Sequence, residues 1–262
     1  MINIDSIVNL SHDAGKLILD IYQSNNFDEQ LKSDNSPLTK ADLVSHSLIV
    51  NRLRDLTPNI PILSEESANI AWQERESWQE YWLIDPLDGT KEFIKKNGEF
   101  TVNIALIKDN VPVLGVVHAP VSRSTWVGSI NRSAIKITPM GKTNIRCISH
   151  HVNEIWRVAA SRSHQSDAFK SYADNLPGEV NILSMGSSIK LCFVAEGVAH
   201  IYPRLGLTSE WDTAAAHAVV NAAGGKVVDI NTGKELLYNT KESLLNPFFI
   251  VANQDQELHL NY

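Results

Sequence analysis

The sequence predicts a layered α/β (α+β) protein, and three observations carry that prediction. Near the start of the chain, Ile4, Ile7, Val8, Ala14, Leu17, Ile18 and Ile21 fall on one helical face. In the middle, the apolar runs 101–107 and 111–118 flank a Lys108-Asp109-Asn110 turn and read as a hairpin. Beyond about residue 150, short apolar strands alternate with helical segments, the pattern of α/β layering. At 262 residues, 43% hydrophobic and 20% charged, the chain has room for one large domain or two small ones around a substantial core. We expect an N-terminal α+β half over 1–150 and a C-terminal α/β half over 151–262.

Taken in order, the N-terminal helix is a packing element without chemistry. Lys32 to Leu38 is rich in turn formers and reads as a loop or short hairpin. Thr39-Lys40-Ala41-Asp42 opens a second helix that runs through Leu56, and Thr57-Pro58-Asn59 ends it. Ile60 to Leu63 is a short strand leading into Ser64-Glu65-Glu66, and 67–80 is polar, a surface loop or short helix. Tyr81 to Ile84 is a strand, and Ser124 to Ile130 a further one after the hairpin. In the second half Arg157 to Ala160, Ile182 to Ser184, Ala199 to Tyr202, Lys226 to Ile230 and Phe248 to Val251 are strands. Helices are expected over Ile189–Glu196, closed by Gly197, and over Trp211–Ala223, stopped by Gly224-Gly225.

The net charge of −7 argues against a protein that tracks a nucleic-acid backbone. Cys147 and Cys192 are isolated, which suggests a reducing compartment and no zinc site. The N-terminus shows no signal peptide pattern, and no apolar run is long enough to span a bilayer. A cytoplasmic protein is expected, with peripheral membrane association and the choice between monomer and homodimer left open.

The chain is organised around Asp85-Pro86-Leu87-Asp88-Gly89-Thr90, which follows the strand Tyr81 to Ile84. Carboxylates at a strand end are hard oxygen ligands of the kind Mg²⁺ prefers, and a following helix start offers N–H groups to an anion. A simple type I turn with Pro86 at its second position is the competing reading. Glu65-Glu66 could equally be a solvated acidic loop, and Asp212 a residue that favours its helix dipole. Asp42 could be the acid of a capping box with Thr39. Ser187, Ser188 and Lys190 suit a phosphate near a helix start, or are loop and cap residues.

Asp85 to Thr90 resembles the signature of the lithium-sensitive, Mg²⁺-dependent phosphatases, the superfamily of inositol monophosphatase, fructose-1,6-bisphosphatase and 3′(2′),5′-bisphosphate nucleotidase. Lys91-Glu92-Phe93-Ile94 and Asn97-Gly98-Glu99-Phe100-Thr101-Val102-Asn103 are similar to the bacterial, CysQ-type bisphosphate nucleotidases, and Trp211-Asp212-Thr213-Ala214-Ala215 to the superfamily's second signature. The likeness runs from about residue 10 to about residue 250, with Ser64 where many relatives have Gly and Glu210 where several carry a neutral residue. It implies an αβαβα sandwich with the site between the halves. It also implies two or three Mg²⁺ ions held by Glu65, Asp85, Asp88, Asp212 and the Leu87 carbonyl, with Glu66 as a supporting acid. Thr90 and Asp42 would activate a water, with no covalent intermediate. The implied reaction is hydrolysis of adenosine 3′,5′-bisphosphate to AMP and phosphate, with 3′-phosphoadenylyl sulfate as a second candidate substrate. Substrate contacts would come from Glu65, Asp88, Gly89, Thr90, His164, Ser187, Lys190, Arg204 and Asp212. The nearest alternative is an inositol- or sugar-phosphate phosphatase on the same fold. Aspartyl-phosphate phosphatases fit less well, because their two Asp lie two apart on one side of a strand, whereas Asp85 and Asp88 lie three apart across Pro86.

Overall fold

Alternation along the strands sorts the apolar side chains into three separate cores, and these cores define the layers. The computed structural model describes residues 2–24, 27–31, 37–162 and 166–258. The first half comprises α1 (Ile4–Ser24), β1 (Gln30–Leu31), β2 (Pro37–Leu38), α2 (Lys40–Leu56), β3 (Ile62–Ser64), α3 (Trp72–Arg75), β4 (Glu80–Asp88) and α4 (Thr90–Ile94). It continues with β5 (Thr101–Lys108), β6 (Val111–Ala119), β7 (Ser124–Ser129), β8 (Arg132–Thr138) and β9 (Gly141–Asn144). The second half comprises β10 (Trp156–Ser161), α5 (Asp167–Asp174), β11 (Val180–Met185), α6 (Ile189–Ala195), β12 (Ile201–Arg204), α7 (Glu210–Ala222), β13 (Gly225–Asp229) and β14 (Phe249–Asn253).

Strands β3 to β9 form a seven-stranded sheet in sequence order, antiparallel except for the β3–β4 pair. A five-stranded mixed sheet has the order β11-β10-β12-β14-β13. Trp82, Ile84, Ile104 and Leu106 face α1 and α2 in one core. Their strand neighbours Tyr81, Leu83, Ala105 and Ile107 face α6, α7 and the second sheet in another. Val158, Ala160, Ile250 and Ala252 close the third core against Phe169 and Tyr172 of α5. The period of two in each strand thus builds five layers, α/β/α/β/α.

Helix α7 is the centre of that stack. Its Ala-rich face lies directly on β6 and β7, where a Cβ added at Gly115 would stand 2.0 Å from the Ala215 carbonyl oxygen and one at Gly128 2.4 Å from that of Ala218. Small residues on both partners allow this approach, which explains why the helix is built from alanine.

Several expectations are adjusted. Leu17 sits at the edge of the α1 stripe and is 37% exposed. The 67–80 stretch holds the single-turn α3, the short helix expected there. Strands β8 and β9 and helix α5 extend the predicted set. Residues 32–36, most of the expected loop or hairpin, lie outside the described residues; their flanks β1 and β2 pair antiparallel.

Candidate active site

The strand β4 does not turn at Asp85; it continues to Asp88 through a bulge against β5, between Asp85 and Asp88. In a regular strand, residues three apart point to opposite faces. The extra residue at the bulge brings the Asp88 carboxylate round to that of Asp85. Pro86 has no N–H for the ladder, and its carbonyl accepts the Ser45 hydroxyl at 2.8 Å instead. Asp85 Oδ1 accepts the Leu87 N–H at 3.0 Å, which pins the bulge from inside. Gly89 then takes φ 95° as the N-cap of α4, a conformation that glycine adopts without strain.

Asp212 reaches the same point from the first turn of α7. Its Oδ2 accepts the Ser209 N–H at 2.9 Å in a capping box, so the helix-favouring reading and the site position hold together. Asp85, Asp88 and Asp212 each offer a carboxylate oxygen within 4.8 Å of the others. Glu65, at the end of β3, shares a hydrogen bond with Asp85. Burial, then the charge of Glu65, pushes the Asp85 carboxyl well above its ordinary range. Burial together with Asp88 and Glu65 raises Asp212 to about 8. Asp88 is raised by burial and partly relieved by the Lys190 charge and the Ser188 N–H. Buried carboxylates so close cannot all ionise without a counter-charge. An all-oxygen donor set under that strain fits a hard divalent cation. Glu66 is half-buried and does not line the cavity.

Asp42 carries two duties. Its Oδ2 accepts the Thr39 N–H (2.7 Å) and hydroxyl (2.6 Å), completing a capping box. Its Oδ1 accepts the Thr90 hydroxyl at 3.1 Å, so a buried carboxylate holds the first residue of α4. Thr90 Oγ1 also lies 3.3 Å from the Leu87 carbonyl oxygen.

These groups open into a cavity of about 670 Å³ lined by Glu65, Asp88, Gly89, Thr90 and Asp212 and by Ser187, Lys190 and Arg204. Ser187 holds φ 49°, uncommon for a residue with a side chain, and its buried Oγ has no hydrogen-bond partner among the described residues. Lys190 is 6% exposed; it donates to the Ser187 carbonyl at 2.5 Å and lies over the Tyr202 ring. Burial lowers its ammonium to about 8 against the pull of Asp88. Arg204 donates from Nε to the Thr208 hydroxyl (2.6 Å) and from a terminal nitrogen to the Leu207 carbonyl (2.8 Å).

Two polar residues near the expected substrate contacts do other work. Arg162 forms a bidentate pair with Glu99 (2.8 and 2.6 Å), whose Oε2 also accepts the Gly186 N–H, so this cation clamps the two halves together. Ser188 directs its N–H at Asp88 Oδ2 (2.6 Å). His164 lies outside the described residues. Sequence reasoning overlooked Glu92, buried and lining the cavity, and Thr101 and Asn103 beside Asp88. The available signal was two polar residues at the head of an otherwise apolar strand.

The model of the inositol monophosphatase family matches residues 3–261. A protein of Escherichia coli O6:H1 named 3′(2′),5′-bisphosphate nucleotidase CysQ is 47% identical, covering 95% of this chain and 99% of its own. The protein of that name from Salmonella typhimurium is 46% identical over the same shares. Among solved structures, CysQ from Bacteroides thetaiotaomicron, described as a bacterial member of the inositol monophosphatase family, superposes with a TM-score of 0.86 at 39% identity and covers 96% of this chain and 97% of that one.

Proposed function

Because the chain belongs to the inositol monophosphatase family, we propose that it is a metal-dependent 3′(2′),5′-bisphosphate nucleotidase that hydrolyses adenosine 3′,5′-bisphosphate to AMP and phosphate. The observation that carries this reading is the facing of two unlike walls across one cavity, the acidic cluster of Asp85, Asp88 and Asp212 and the cationic wall of Lys190 and Arg204. A substrate with one phosphate needs only the first wall; a bisphosphate needs both.

Asp85, Asp88 and Asp212, with Glu65 and the Leu87 carbonyl, would hold the cations, which we take to be two or three Mg²⁺. Bound there, such ions neutralise phosphoryl charge and acidify water at neutral pH. The chain's own contribution is to place and deprotonate the nucleophile. Thr90 donates its hydroxyl hydrogen bond to Asp42, which leaves its oxygen lone pairs to accept one from the attacking water; as the water attacks, its proton passes to Thr90 Oγ1 and the Thr90 proton to Asp42. The two Thr39 donors hold Asp42 by its other oxygen, which keeps Oδ1 turned to Thr90. On the far wall, the unpartnered Ser187 hydroxyl and the Lys190 and Arg204 charges would receive the phosphate that does not react, with 3′-phosphoadenylyl sulfate as a second substrate of like charge. The halves 1–150 and 151–262 then divide the work, the first supplying most metal ligands and the nucleophile, the second Asp212 and substrate recognition. No helix among the described residues is long and apolar enough to cross a membrane; we place the enzyme in the cytoplasm, where its two buried free cysteines would stay reduced.

Phosphate release across adenosine 3′,5′-bisphosphate, inositol 1-phosphate, fructose 1,6-bisphosphate and NADP tests the assignment. The nucleotide bisphosphate should have the highest kcat/KM. Preference for inositol 1-phosphate would instead make the chain a sugar-type phosphatase on the same fold.

A further inference from the structure

Asp88 is held by a set of buried polar side chains that the chemistry above does not use. Thr101, Asn103 and Ser188 are 0%, 1% and 2% exposed. Along β5, Thr101 and Asn103 continue the row of Ala105 and Ile107, which belongs to the core between the sheets. Polar groups buried there cost free energy unless each finds its partner.

Proton accounting orders the contacts. Ser188 Oγ donates to Asn103 Oδ1 at 2.8 Å. A hydroxyl has one proton to give, so the 2.9 Å contact between Thr101 Oγ1 and Ser188 Oγ takes the proton of Thr101, in preference to the longer 3.5 Å contact from Thr101 Oγ1 to Asp88 Oδ2. With its carbonyl oxygen turned to Ser188, Asn103 presents Nδ2 to Asp88 Oδ2 at 3.3 Å. Ser188 also gives its backbone N–H to that same oxygen at 2.6 Å. The bonds run one way, from Thr101 to Ser188 to Asn103 to Asp88. They converge on Oδ2, and Asp88 Oδ1 takes part in none of them.

We propose that Thr101, Asn103 and Ser188 are positioning residues that fix the rotation of the Asp88 carboxylate, so that Oδ1 is presented to a cation, and that Ser188 thereby couples the substrate-facing loop to the metal site. The coupling follows from position: Ser188 stands between Ser187 and Lys190 on the cavity wall, so a shift of that loop on substrate binding moves the donor that holds a metal ligand. This inference rests on the metal-site reading given above. Partners behind a ligating carboxylate typically set metal affinity by about 10–100-fold.

Direct Mn²⁺ binding, followed by electron paramagnetic resonance of the free ion, tests it without recourse to turnover. Ser188→Ala keeps the backbone N–H but breaks the chain at its middle, and should raise the Mn²⁺ Kd by about 10–100-fold. Thr101→Val should weaken binding severalfold, whereas Thr101→Ser, which keeps the hydroxyl, should bind as the unmodified protein does. Circular dichroism confirms that each variant is folded; should Ser188→Ala not fold, the Thr101 pair decides. Unchanged Mn²⁺ binding in Ser188→Ala, or equal binding by Thr101→Val and Thr101→Ser, overturns the proposal. Failure of the unmodified protein to bind Mn²⁺ would count against the metal site itself.

Discussion

Asp42 shows how one side chain serves stability and chemistry through separate oxygens. Oδ2 takes the two Thr39 donors of the capping box and Oδ1 takes the Thr90 hydroxyl. The two duties can be separated by substitution at the partners. Thr39→Ala removes a cap and should cost about 1 kcal/mol of stability while kcat falls little. Thr90→Ala should leave the thermal midpoint near its original value and lower kcat by about 10²–10⁴-fold, the usual worth of positioned proton transfer, with a much smaller change in KM. Comparable kcat losses in the two variants would show that Asp42 acts through the helix start alone. On the opposite wall, Lys190→Ala should reduce kcat/KM for adenosine 3′,5′-bisphosphate by about one to two powers of ten, the worth of a charge-assisted contact of roughly 1.5–3 kcal/mol. A monophosphate should be hydrolysed almost as before. Equal losses on both substrates would place Lys190, whose ammonium interacts with Asp88, in support of the acidic wall instead.

At the scale of elements, what was legible followed from strong local patterns. The α1 stripe, the β5–β6 hairpin, and α6 and α7 with their terminal glycines were all expected from period and punctuation. Strands β8 and β9 were not, because both carry few buried residues; β8 buries only Ala134, and β9, at the sheet edge, is exposed throughout. Helix α5 is two turns long, and its Ser166 N-cap and the short buried stripe of Phe169, Tyr172 and Ala173 make a weaker signal than the longer helices give. The bulge in β4 was hidden for a different reason. A D-P-x-D spacing reads locally as a turn, and only pairing with β5, distant in sequence, keeps it a strand. Helix α7 links this scale to the site, since it carries Asp212 and rests on Gly115 and Gly128. Gly128→Ala would push a methyl group into the backbone of Ala218 and Val219. Overpacking of this kind typically costs about 1–3 kcal/mol; a urea midpoint should fall accordingly, and activity with it, because α7 must move. An unchanged midpoint would mean that the layers are held less tightly than these distances indicate.

Across the whole molecule, the acidic cluster sits at the junction of the two sheets, where the chain places charge that burial disfavours. The sequence quoted each carboxylate but could not show that they meet; that required two sheets to stack on α7. The cluster also sets a pH dependence whose sign can be worked out. Asp212 titrates at about 8 in the metal-free fold, against about 3.9 in an unfolded chain. The native state therefore binds more protons than the unfolded state between those values. Stability of the metal-free protein is full at the acid end and falls as pH rises towards 8, by up to about 1.4 kcal/mol per pH unit for each such group. A bound cation takes the place of those protons. Buried histidines such as His118, lowered to about 3 by burial, act in the opposite direction but equally with and without metal. The gain in thermal midpoint on adding Mg²⁺ should therefore be larger at pH 8 than at pH 5.5, and equal gains would contradict the cluster as a cation site.

The most direct measurement is phosphate release from adenosine 3′,5′-bisphosphate as Mg²⁺ is titrated into chelator-treated protein, beside the Asp88→Asn variant. Release should be absent in chelator, rise to saturation with added Mg²⁺, and stay lower by several orders of magnitude in Asp88→Asn although that variant folds. Full turnover in chelator, or an Asp88→Asn enzyme as fast as the original, would contradict a metal-dependent nucleotidase built on these carboxylates.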